Sequence, residues 1–72
     1  MLERPETTRA KEVVDLYRKA AKRKHFSNEV VDAVRELVDM VQRGKVSLIN
    51  IGCEGHEYQK MIMDCVPLPA GL

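Results

Sequence analysis

Apolar residues along this chain repeat at helical spacing twice, and then the pattern changes. In the stretch "RPETTRAKEVVDLYRKAAKRKH" they fall at Ala10, Val13, Leu16, Tyr17, Ala20 and Ala21, a stripe thinned by its alanines. Pro5 suits a first helical position, where a missing N–H costs nothing, and Glu6 suits the positive end of the helix dipole. The spacing predicts a first helix over about residues 6 to 24. Val30, Val31, Val34, Leu37, Val38 and Val41 form a fuller stripe, with Asp32, Arg35, Glu36, Asp39 and Arg43 on the opposite face. Ser27 is a favoured N-cap, Phe26 is placed to pack on Val31 as a hydrophobic staple, and Gly44 stands where a helix-ending glycine belongs. Only "KHFS" joins the two helices, which predicts an antiparallel pair.

Past Gly44 the stretch "KVSLINIGCE" is rich in β-branched and aliphatic residues and poor in helix formers, which predicts a strand over roughly residues 45 to 53. Residues 57–66 read two ways. Tyr58, Met61, Ile62, Cys65 and Val66 fit a third helix stopped by Pro67, giving an α-α-β-α order. A lone strand, however, leaves a row of backbone donors and acceptors without partners, and a second strand after Glu54-Gly55 supplies them. The two-residue turn sets Leu48 opposite Met61 and Val46 opposite Met63, a face able to cover the stripe of the second helix. On this reading the chain is an α+β domain, two antiparallel helices packed on a C-terminal β-hairpin, with the third-helix order as its alternative. Residues 67–72, with two prolines and a glycine, are expected to form an extended tail.

Length and composition limit what such a fold can do. Seventy-two residues make one small domain whose core is only just sufficient, so a partner or a second copy would help it. Hydrophobic residues at 44% and charged residues at 32% place it among ordered chains. No apolar run approaches the roughly 20 residues of a membrane span, and "MLERPETTRAKE" lacks the apolar core of a secretion signal, so the expected location is cytoplasmic. The net charge is only +1, but it is unevenly spread. Residues 1–26 hold eight Lys/Arg against four acids, whereas acids outnumber bases in the remainder.

The most conspicuous stretch, "CEGHEYQKMIMDC", raises redox and metal chemistry. Cys53-x2-His56 has ligand-like spacing, but a closed zinc site wants two close pairs and only Cys65, Asp64 and His25 could complete it. No metal or cofactor is expected. In the hairpin the two cysteines lie some nine residues apart along the ladder, roughly 30 Å, far beyond disulfide reach. They are expected as free thiols serving as small hydrophobes. No nucleophile motif surrounds any Ser or Cys, and a chain this short struggles to enclose a pocket of about 300 Å³ beside its core, so no enzyme is expected.

Two binding surfaces remain. In the hairpin register Ile49, Ile51, Tyr58 and Ile62 line the sheet face that two helices cannot cover, and an exposed apolar face marks an interface. That predicts a small regulatory or inhibitory module that binds a protein partner and self-associates as a homodimer or higher oligomer, the size often found in accessory proteins of phages and mobile elements. The rival surface is the basic end of the first helix, Arg18, Lys19, Lys22, Arg23 and Lys24, whose charge suits nucleic-acid phosphates. Against it, Lys and Arg complement the last turn of any helix, and one Phe, two Tyr and no Trp offer little for stacking on bases.

Overall fold

Pro5 begins α1, which runs Pro5–Arg23 in a computed structural model that describes residues 3–66. Arg4 precedes it in extended geometry, and its carbonyl accepts from the N–H groups of Thr7 and Thr8. The helix ends on Lys24 at φ 55, ψ 35, with the Lys24 N–H donating to Ala21 O and the His25 N–H to Ala20 O. That closure normally recruits glycine, because an L side chain in left-handed backbone is strained. α2 follows as Asn28–Gln42, and the Ser27 hydroxyl accepts from the Val30 N–H at 3.3 Å. Gly44, at φ 73, closes its far end, where the Lys45 N–H donates to Met40 O at 2.9 Å. α1 and α2 run antiparallel, so that Arg9 near the start of α1 reaches Glu36 in the second half of α2 at 3.2 Å.

The expected β-hairpin is absent: no described residue lies in a strand, and the fold is all-α rather than α+β. Residues 47–53 instead close on themselves. The Ile51 N–H donates to Ser47 O, that of Gly52 to Ile49 O and that of Cys53 to Leu48 O, with Gly52 at φ 68 completing the turn. Backbone groups satisfied within the turn have no need of a partner strand. Burial here also departs from the alternation of a strand: Val46, Ile51 and Cys53 are buried while Ile49 and Asn50 face solvent.

With the first strand gone the second has nothing to pair with, and the helical stripe of residues 58–66 prevails. α3 runs Gly55–Cys65. Met61 is fully buried and Cys65 nearly so, whereas Met63, which the hairpin register put into the core, is 82% exposed. The third-helix alternative foresaw α3 but not the turn before it. The expected tail at residues 67–72 lies outside the described residues.

α2 is the central element and packs on both neighbours. Val13 and Val14 of α1, Val34 and Leu37 of α2 and Met61 of α3 are its most deeply buried large side chains. Tyr17 stacks on Phe26, ring centroids 5.6 Å apart and planes 15° from parallel, which caps the core at the α1–α2 connection. Among the described residues the core contains no buried charged side chain. No helix there is long and apolar enough to cross a membrane.

Candidate functional site

α1 and α3 meet through polar side chains rather than a packed apolar seam. The Tyr17 hydroxyl donates to Asp64 Oδ2 at 2.7 Å. Arg18 makes a two-pronged contact with Glu57, Nε to Oε2 at 2.9 Å and Nη2 to Oε1 at 2.8 Å, and donates from Nη2 to the Gly52 carbonyl at 3.0 Å. The Arg18 guanidinium, by these hydrogen bonds, holds the Glu57 carboxyl below its ordinary range, and Glu57 raises Arg18 in return. One arginine thus ties α1, α3 and the turn that precedes α3.

Beside this tie lies an open cleft of about 450 Å³. Asp15, Arg18, Lys19 and Lys22 contribute to the α1 wall, and His56, Glu57 and Lys60 to the α3 wall. Much of the charge cancels locally. Glu57 neutralises Arg18, and Asp15 meets Lys19 at 3.0 Å one turn away along α1. Lys22 and Lys60 have no ion-pair partner among the described residues, and neither do Arg23 and Lys24 just beyond. The cleft and the end of α1 therefore form one positive surface.

The five basic residues expected to form a nucleic-acid surface accordingly divide. Arg18 and Lys19 are engaged with acids, whereas Lys22, Arg23 and Lys24 stand exposed and available. Lys60 was missed in the sequence reading, because the hairpin register gave residues 57–63 strand periodicity and the charge balance after Lys45 is acidic. Reading those residues as a helix sets His56 and Lys60 at i,i+4 on one face, which was the available signal.

The four expected interface residues differ in exposure. Ile51 is buried at 5% exposure, Tyr58 and Ile62 are half-buried, and only Ile49 stands out, at 89%. The uncovered sheet face that recommended them does not exist. Cys53 and Cys65 are free and buried. Burial, with the nearby Glu57 charge adding to it, pushes the Cys53 thiol up to about 11, and burial raises Cys65 as well. A thiol held that high is a poor nucleophile near neutral pH. His56 is largely exposed and lies 3.2 Å, through Nδ1, from Glu54. Among the described residues no three His, Cys, Asp or Glu side chains converge as a metal site would require.

No family model, curated protein or solved structure matches the chain. Its own residues are therefore the basis for assigning it a role.

Proposed function

We propose that this chain is a small cytoplasmic binding module that attaches to nucleic acid through the basic surface formed by the end of α1 and the neighbouring wall of α3. The observation that carries this reading is the grouping of Lys22, Arg23, Lys24 and Lys60, exposed and without ion-pair partners among the described residues. Cations already paired with carboxylates have little to offer a phosphate, since binding would first have to break the pair. Unpaired ones gain by releasing the counterions condensed on the nucleic acid. Free buried thiols accord with a reducing compartment.

The reading makes a quantitative demand. If three of these side chains contact phosphate, affinity for a short DNA duplex falls by about 40-fold between 50 and 200 mM salt, from a slope near −0.9 per contact. Fluorescence anisotropy across that range measures it. Reversing Lys22 and Arg23 to glutamate should abolish binding while leaving the helical circular-dichroism signal intact. Binding that ignores both salt and the double reversal would refute the reading.

Self-association is a second reading, favoured by one observation: Ile49 and Met63 are large apolar residues at 89% and 82% exposure. A second copy is the occupant this reading names. Native mass spectrometry of the reduced chain should then show an even-numbered oligomer that Ile49→Asp converts to monomer. A monomer at micromolar concentration removes it.

A further inference from the structure

The α1–α3 cleft has a more specific use than general attraction. We propose that it seats one backbone phosphate of a nucleic-acid duplex, clamped between the ammonium groups of Lys22 on α1 and Lys60 on α3. This rests on the nucleic-acid reading above and adds to it a particular site, a residue from the third helix and a choice of duplex over single strand.

The choice of these two lysines follows from which cations are already occupied. Arg18 directs its donors at Glu57 and the Gly52 carbonyl, and Lys19 faces Asp15. Lys22 and Lys60 line the same cleft from opposite walls with no carboxylate paired to either among the described residues. A phosphodiester carries one negative charge and exposed oxygen acceptors, so it can receive a hydrogen bond from each wall at once. The Arg18–Glu57 contact ties the walls together, so the two lysines belong to a preformed opening rather than to two independent surfaces.

The choice of duplex follows from the aromatic residues. Single strands are held largely by bases stacking on aromatic faces. Tyr17 is buried against Phe26, and Phe26 and Tyr58 are half-buried, so no phenylalanine or tyrosine ring among the described residues is freely exposed to a base. Recognition by phosphate alone suits a duplex, whose backbone is outermost and whose bases need not be reached.

The test is anisotropy with a mixed-sequence DNA duplex and the matching single strand, using the full chain and three exposed-site variants, Lys60→Gln, Lys22→Gln and Lys45→Gln. Lys45 is an exposed lysine in the turn after α2, outside the cleft. The clamp predicts that Lys60→Gln and Lys22→Gln each weaken duplex binding by about tenfold at 50 mM salt and each reduce the salt slope by about one. Lys45→Gln should change affinity less than about twofold, as expected of a lysine that touches no phosphate. If Lys60→Gln behaves like Lys45→Gln while reversal of Lys22 and Arg23 still abolishes binding, the clamp is wrong and the basic helix end alone binds. Equal losses in all three variants mean diffuse attraction and also overturn it. Tighter binding of the single strand overturns the duplex assignment. No binding by the unaltered chain at low salt removes the nucleic-acid reading itself, and the clamp with it.

Discussion

Leu37→Ala is expected to remove about half of the folding stability of this protein. Leu37 lies in the central helix with no solvent exposure and belongs to one core with Val13 and Val14 of α1, Val34 of its own helix and Met61 of α3. Truncating a leucine at such a position costs roughly 3 to 5 kcal/mol, through lost transfer free energy and the cavity left behind. A domain of this length has roughly 4 to 11 kcal/mol in total. Because α2 alone packs on both neighbours, the cavity weakens both helix contacts at once. Urea titration followed by the helical signal measures the loss, and the slope of the transition should be unchanged. Met63→Ala is the informative control. At 82% exposure it should alter stability by less than about 0.5 kcal/mol. A loss at Met63 comparable to that at Leu37 would mean that Met63 belongs to the core, as the hairpin register required, and would overturn the packing of α3 through Met61 and Cys65.

That contrast marks where sequence reasoning held and where it failed. α1 and α2 were legible because pattern and punctuation agree. The valine stripe of α2 sits between Ser27 and Gly44, and both residues make the capping contacts their chemistry favours. Residues 45–53 were misread from their composition, since β propensity mostly describes fitness for a pleated, half-buried surface and no such surface is present. One wrong element then forced another. The stripe Tyr58, Met61, Ile62, Cys65 and Val66 was visible and correct as a helix, but an assumed strand at 45–53 demanded a partner and took those residues for it. Gly52 was the overlooked signal: at φ 68 it closes the turn that satisfies this backbone locally.

The candidate site shows the same limit. Lys22, Arg23 and Lys24 could be seen in a run of charge, but whether a cation is free depends on partners that only the fold brings near. Arg18 is engaged by Glu57, 39 residues on, and Lys60 reaches the basic surface only because residues 55–65 are helical. Counting charges along the chain overstates Arg18 and overlooks Lys60.

Raising the pH above about 9 is expected to destabilise the protein, because its buried thiols and phenols hold their protons more tightly when folded. Below about pH 9 the Cys53 thiol is protonated in both states and contributes no pH dependence. Above 9.0, its ordinary value, the unfolded thiol ionises while the folded one, desolvated in the core and near the Glu57 carboxylate, keeps its proton until about 11. In that window the native state binds more protons than the unfolded state, so stability falls as pH rises. One group contributes about 1.4 kcal/mol per pH unit, or on the order of 2 to 3 kcal/mol across the interval. Cys65 acts with the same sign, raised by burial and then by Asp64. So does Tyr17, raised by burial and by its hydrogen bond to Asp64, and so does Tyr58, raised by burial. Urea midpoints of the reduced chain should therefore decline progressively above about pH 9, and Cys53→Ala should flatten the part of the decline between about 9 and 11. The same shift makes Cys53 slow to alkylate. At pH 8 its thiolate is about a hundredfold scarcer than that of an ordinary cysteine, and denaturant should restore rapid labelling. Midpoints that stay level to about pH 10.5, or a Cys53→Ala variant with an undiminished decline, would show that this thiol is not desolvated in the core.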